Sequence, residues 1–263
     1  MKTFITLVFS LNLLFLSAQV NVRDVDPDQV FGKGNEIYFA LPGSVHDANT
    51  LTKLISIDNV KGDTIFAYAN RKEFARLQQN EGRNFILLKH PGTLIDAPMS
   101  SNPRQVLEWN YYPTYQAYEQ LMQDFATNYP DICSMQTIGI LPSGRKLLAM
   151  RISDNVNVEE DEPEFLYTST MHGDETTGYV LMLHLIDYLL TNYNTDPRIT
   201  NLVNNVDIWI NPLANPDGTY AGGNNTVNGA QRYNANYVDL NRNYHDPEDG
   251  LHPDGEAWQP ETL

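Results

Sequence analysis

The segment Phe165-Leu-Tyr-Thr-Ser-Thr-Met-His-Gly-Asp-Glu175 begins as an apolar run and ends as a polar turn. Its first six residues are typical of a β-strand. The run Val180 to Leu190 that follows is apolar almost all round, which is typical of a helix buried against a sheet. Strand, turn and buried helix in succession indicate an α/β fold, with His172 and Glu175 placed where the strand ends.

The residues on either side extend this fold. Thr114 is a candidate N-cap for an amphipathic helix that ends at Asn128-Tyr129-Pro130. Met135–Ile140 and Lys146–Ile152 are predicted strands joined as a hairpin, and Val206–Ile210 is a further strand. This alternation predicts an α/β domain over residues 113–263, built on a mixed central sheet with helices on both faces.

A second, smaller α/β unit is predicted before it, over residues 20–100. Three short strands alternate there with two helices, and these are Glu36–Leu41, Asn49–Ile55, Thr64–Ala69, Arg71–Gln79 and Phe85–Lys89. Proline and small polar residues accumulate around Pro98 and Pro103, so residues 101–112 are interpreted as a linker.

The N-terminus has the features of a secretory signal peptide. Basic Lys2 precedes a mainly apolar run from Phe4 to Leu16, and Ser17-Ala18-Gln19 offers small residues for cleavage. The run is shorter than the ~20 apolar residues that a membrane-spanning helix needs. We therefore predict a signal peptide over residues 1–19 and a secreted mature chain without a transmembrane segment.

Composition excludes some partners. The 17 basic and 33 acidic residues give a formal charge of -16, which argues against binding to nucleic acid because phosphate recognition depends on a basic surface. Cys133 is the only cysteine, so no intrachain disulfide can form.

His172 and Glu175 are candidate metal ligands. A histidine at a strand end and a glutamate in the first turn of the next helix can converge on one ion, and zinc is commonly bound by imidazole and carboxylate. The bare His-x-x-Glu pattern is weak evidence, because a capping histidine beside a helix-starting acid produces it as well.

Three residues further along suit a substrate carboxylate and carbonyl. Arg242 can pair with a carboxylate through two parallel hydrogen bonds, and Asn241 can donate another. Arg232 could polarise a scissile carbonyl and stabilise its oxyanion. Taken singly, each arginine also suits a solvated surface position.

The ordered set of segments resembles the zinc metallocarboxypeptidases of peptidase family M14. The resemblance covers roughly residues 110–263 and is carried by His172-Gly-Asp-Glu175, Asn215-Pro-Asp-Gly218, Arg232-Tyr-Asn-Ala and Asp239-Leu-Asn-Arg-Asn-Tyr244. It implies a Zn²⁺ enzyme that acts on the C-termini of peptides or proteins. It further implies that His172 and Glu175 bind zinc, that Arg232 contacts the scissile carbonyl, and that Asn241 and Arg242 hold the terminal carboxylate. The unit at residues 20–100 is similar to the inhibitory pro-domain of some members.

The resemblance also implies groups that these segments do not contain. The family takes a third zinc-ligand histidine and a general-base glutamate from positions after the Asn-Arg segment. The chain's remaining histidines are poor substitutes by their location, and these are His46, His90, His184, His245 and His252. We therefore expect the chain to be the N-terminal portion of a longer enzyme and to be inactive alone. An amidase or deacylase on the same scaffold, and a non-catalytic secreted binding module, are the alternative interpretations.

Overall fold

The structure, a computed structural model, describes residues 20–248, 250 and 254–263. The buried hydrophobic side chains of these residues form two separate cores, one within residues 22–85 and one within residues 106–227. The predicted signal peptide lies outside the described residues, and so does His252. Across the described part of the chain, no helix is both long and apolar enough to cross a membrane. The domain boundaries at residues 100 and 112 stay predictions.

The N-terminal unit is an antiparallel sheet in the strand order β1-β5-β2-β4-β3. Phe39 and Phe74 are fully buried in its core and meet edge to face. The elements are β1 (Val20–Asn21), α1 (Pro27–Phe31), β2 (Glu36–Pro42), α2 (Val45–Leu51), β3 (Ser56–Lys61), β4 (Thr64–Asn70), α3 (Arg71–Asn80) and β5 (Asn84–Leu88).

Strand β3 and helix α2 differ from the sequence-based prediction. Strand β3 was not predicted, because Ser56-Ile-Asp-Asn-Val-Lys61 is mostly polar and a bulge between Ile57 and Asn59 breaks its alternation. Helix α2 begins four residues before the predicted Asn49, because Ser44 and Asp47 form a capping box that fixes its start.

The second unit contains a four-stranded sheet in the order β10-β11-β9-β8. β10 is parallel to β11, and the other two pairs are antiparallel, so the predicted mixed α/β sheet is confirmed. The elements are β6 (Met99–Ser100), α4 (Pro103–Val106), β7 (Tyr112–Pro113), α5 (Tyr115–Asn128), β8 (Cys133–Ile140), β9 (Lys146–Ile152), β10 (Glu164–Thr168), α6 (Thr176–Asn192), α7 (Pro197–Val203), β11 (Asp207–Asn211) and α8 (Pro216–Thr219).

Helices α5, α6 and α7 pack on one face of this sheet. Leu148, Met150 and Ile152 of β9 lie in a single core with the buried side chains of these helices. The predicted N-cap of α5 is confirmed, since the Thr114 hydroxyl accepts the Ala117 N–H. The opposite face borders a 520 Å³ cleft that is lined in part by Leu166. Because β10 and β11 are parallel, the loops that follow them leave the sheet at the same end. The loop between β10 and α6 contains His172 and Glu175.

Candidate active site

The turn between β10 and α6 brings His172 and Glu175 together. Thr170 adopts a left-handed backbone conformation (φ 58°), and its hydroxyl donates to the Glu175 carbonyl over 3.1 Å. The Glu175 N–H bonds the His172 carbonyl and closes the turn. Glu175 is also the N-cap residue of α6 but makes no side-chain capping bond, so its carboxylate can face the imidazole.

The two side chains point at each other. His172 Nδ1 lies 3.0 Å from Glu175 Oε1, while His172 Nε2 lies 3.1 Å from Asp239 Oδ1. Burial lowers the pKa of His172, but the hydrogen bonds with Asp239 and Glu175 outweigh it, so the net shift is upward. The same hydrogen bond with His172 lowers the pKa of Glu175. The imidazole is therefore held between two carboxylates.

This geometry fits a zinc ion. Two ligand atoms 3.0 Å apart can both reach one ion at the ~2.1 Å bond lengths typical of zinc. With zinc on Nδ1, the remaining imidazole hydrogen would sit on Nε2 and donate to Asp239, whose Oδ1 lies 3.1 Å away. His172 and Glu175 therefore have the donor atoms, the separation and the supporting carboxylate of a zinc-binding pair.

Arg232 lies beside this pair and is only 5% exposed. Its Nη1 is 3.6 Å from Glu175 Oε1, and its Nε is 3.5 Å from Asp239 Oδ2. Burial disfavours the charged guanidinium, but Asp239 and the other nearby negative groups raise the pKa of Arg232 overall. The arginine therefore stays charged next to the predicted metal position.

Asn241 adjoins that cluster through its backbone N–H, which donates to Asp239 Oδ1 over 3.0 Å, and Arg242 follows it in the chain. They line an adjoining 720 Å³ cavity together with Asp239, which contacts His172 on its other side. Arg242 Nη2 donates to Thr52 Oγ1 over 3.2 Å. The structure thus arranges the sequence-predicted residues as two neighbouring groups with Asp239 between them.

Asp239 was not predicted as a site residue from the sequence. The Asp239 side chain is 2% exposed and caps the short helical turn Leu240–Arg242 by accepting the Asn241 N–H. Burial raises the pKa of Asp239, but the contacts with His172 and Arg232 hold it well below its usual range. Its position at the start of the Asp-Leu-Asn-Arg segment was the only sequence signal available.

The N-terminal unit also reaches into the site, which was not predicted in detail. Ser56 Oγ accepts a 2.9 Å hydrogen bond from Arg232 Nε and donates to Asp239. Tyr68 places its ring 5.2 Å from the Arg232 guanidinium. The Glu36 carboxylate accepts the backbone N–H groups of Arg232 and Tyr233, each over 3.0 Å.

Comparison with known proteins gives a consistent result. The model of the family described as zinc carboxypeptidase matches residues 118–260. Carboxypeptidase D of Mus musculus is 40% identical over 177 residues, which are 66% of this chain and 12% of that protein. Carboxypeptidase M of Mus musculus is 39% identical over 156 residues, 58% of this chain and 34% of that protein. The chain therefore spans only a minor part of the length of these relatives.

The fold is similar to that of a solved carboxypeptidase. The crystal structure of carboxypeptidase A from Helicoverpa armigera superposes with a TM-score of 0.56 over 87% of this chain and 64% of that one. The sequence identity is 19%, so this similarity concerns the fold alone.

Proposed function

Because the chain belongs to the zinc carboxypeptidase family, we propose that its protein is a metallocarboxypeptidase that hydrolyses the C-terminal peptide bond of peptides or proteins. The observation that carries the proposal is the 3.0 Å approach of His172 Nδ1 to Glu175 Oε1 with the buried Arg232 beside them. Arg242, in the adjoining cavity, offers a place for a free carboxylate.

His172 and Glu175 would hold the metal, and Asp239 would keep the imidazole in the tautomer that binds it. Zinc, when bound, would polarise the scissile carbonyl and lower the pKa of a water molecule. Arg232 would donate to the carbonyl oxygen as negative charge develops there. Asn241 and Arg242 would hold the substrate's terminal carboxylate, which a blocked or internal peptide bond does not offer.

The test uses the full-length protein and pairs of peptides with free or amidated C-termini. We expect one zinc per protein, release of the C-terminal residue from free peptides only, and loss of activity with a chelator. Arg242→Ala should raise KM for free peptides strongly, whereas Arg104→Ala, in the exposed start of α4, should not. Equal hydrolysis of free and amidated peptides, or of a simple N-acyl amide, would favour an amidase and contradict the proposal.

We also propose that the N-terminal unit covers this site. Ser56 occupies hydrogen-bonding positions of Arg232 and Asp239, and Thr52 occupies one of Arg242. Substrate groups would need the same positions, so Glu36→Ala, which removes two contacts across the boundary, should raise activity. Glu81→Ala is the control, since Glu81 pairs with a neighbour inside its own unit. A folded Glu36→Ala protein with unchanged activity would contradict a covering role.

Secretion is a further part of the proposal. It is supported by Lys2, the apolar run Phe4 to Leu16 and the small residues that follow. N-terminal sequencing of the extracellular protein should find a start near residue 20. Retention of residues 1–19 in a cytoplasmic protein would contradict it.

A further inference from the structure

The buried side chain of Asn215 connects the two loops that carry the site. Its Nδ2 donates to the Met171 carbonyl over 3.1 Å and to the Arg232 carbonyl over 3.4 Å. Its Oδ1 accepts the Gly218 N–H over 2.8 Å. One amide group thus contacts the residue before His172 and the backbone of Arg232.

The packing around this amide is tight. Gly173 N–H donates to the Arg232 carbonyl over 3.2 Å, and the Thr219 hydroxyl donates to the Gly173 carbonyl over 2.9 Å. A Cβ on Gly173 would overlap the backbone of Gly218, Thr219 and Gln231. The turns at residues 171–175 and 215–219 and the segment at residues 231–232 therefore lock together around Asn215, and we name this arrangement the Asn215 junction.

The capping of helix α8 does not by itself require asparagine at position 215. The turn of α8 requires only an acceptor at its N-cap, and aspartate or serine serves that purpose about equally well. Only a side chain with two further donors can satisfy the carbonyls of Met171 and Arg232 at once. The donor side of Asn215 is thus directed at the site rather than at its own helix.

We propose that Asn215 is a positioning residue that fixes the separation between the zinc-binding pair and the Arg232 guanidinium. The proposal rests on the proposed function. Asn215 itself is fully buried and acts through the backbone of Met171 and Arg232. Loss of its donors should let the two loops move apart, which weakens metal binding and misplaces the guanidinium.

The decisive variant is Asn215→Asp in the full-length protein. It keeps the acceptor for Gly218 but sets an oxygen against two carbonyl oxygens. Asn211→Asp is the matched control, because Asn211 is also buried and its Nδ2 donates over 2.9 Å to the Leu148 carbonyl within the sheet. Zinc affinity is measured by chelator competition, the free energy of unfolding by urea, and kcat and KM at saturating zinc.

We expect both variants to lose stability, but only Asn215→Asp to raise the zinc Kd, by about tenfold or more. At saturating zinc, kcat should fall while KM changes little, because the Arg242 anchor is untouched. A variant with wild-type zinc affinity and kcat, and the same loss of stability as the control, would reduce Asn215 to a structural role. Wild-type protein that binds no zinc would instead refute the proposed function.

If Asn215→Asp does not fold, the wild-type protein still provides a test. The side-chain amide protons of Asn215 can be followed by NMR as zinc is added, with those of Asn211 as the internal reference. We expect hydrogen exchange at Asn215 to slow on zinc binding while exchange at Asn211 stays constant. Equal responses of the two amides would overturn the proposal.

Discussion

Replacing Asp239 with asparagine removes one buried charge beside the predicted zinc-binding pair. Asp239 Oδ1 accepts from His172 Nε2 over 3.1 Å, and the side chain is 2% exposed. Asparagine has nearly the same shape and still caps the turn at Leu240–Arg242. The substitution therefore removes the charge and leaves the local backbone intact.

The expected size follows from the hydrogen bond. A bond to a charged group contributes roughly 1.5–3 kcal/mol and a neutral one roughly 0.5–1.5 kcal/mol, so the loss is about 1.5 kcal/mol. That corresponds to a zinc Kd about tenfold higher. The zinc Kd should rise further if the asparagine amide donates to Nε2. The imidazole hydrogen then moves to Nδ1, the atom that faces Glu175 and would bind the metal.

Chelator competition measures the Kd, and Asp207→Asn is the control. Asp207 is also buried and paired with Arg151 through two 3.0 Å hydrogen bonds, but it lies on β11 away from the zinc-binding pair. Both variants should lose stability, and only Asp239→Asn should lose zinc affinity. An unchanged Kd in Asp239→Asn, or an equal increase in both variants, would refute this reasoning.

Three further predictions concern other parts of the molecule. Burial raises the pKa of Glu73 from its ordinary 4.5 to about 7, so between these pH values the unfolded chain loses the proton while the folded chain keeps it. The free energy of unfolding should therefore fall by about 3 kcal/mol as the pH rises through this window. Urea titrations should show this slope in the wild type and not in Glu73→Gln. Gly173→Ala should lower the free energy of unfolding by about 3 kcal/mol, because its Cβ would overlap neighbouring backbone atoms. Gly144 has free space around it but a positive φ of 86°, so Gly144→Ala should lower the free energy of unfolding by only about 1 kcal/mol in the same titrations. Arg242→Lys keeps the charge but loses the paired hydrogen bonds, so KM for free C-termini should rise about tenfold with little change in kcat, and an unchanged KM would contradict the anchor.

Much of the second unit could be predicted from the sequence because its signals are local. The runs that form β9 and α6 are mainly apolar; β9 has its predicted bounds, and α6 begins four residues before and ends two residues after the predicted Val180 to Leu190. Strand β10 ends at Thr168, two residues before the predicted end, since Thr170 turns the chain through a left-handed conformation. No sequence pattern predicts a left-handed backbone conformation at a β-branched residue such as Thr170.

The parts that could not be predicted depend on tertiary contacts. Ser56 lies in a polar strand of the first unit, yet it meets Asp239 in the second, 183 residues later. Asn215 has the local appearance of a turn residue, and its Nδ2 contacts become visible only when two loops come together. Side chains that act across distant segments leave no periodic signal in the chain.

The charges around His172 bear on what this site can bind. Asp174, Glu175 and Asp239 face one guanidinium, that of Arg232, so the surroundings of the imidazole carry an excess of negative charge. Burying a carboxylate such as Asp239 is costly unless cations compensate it, and a divalent ion compensates more than any single side chain. The docked N-terminal unit adds the buried Glu36 carboxylate to the same region. If the proposed metal stabilises the docked position of the proposed cover, the cover stabilises the bound metal by the same free energy, because coupling between two bound groups is reciprocal.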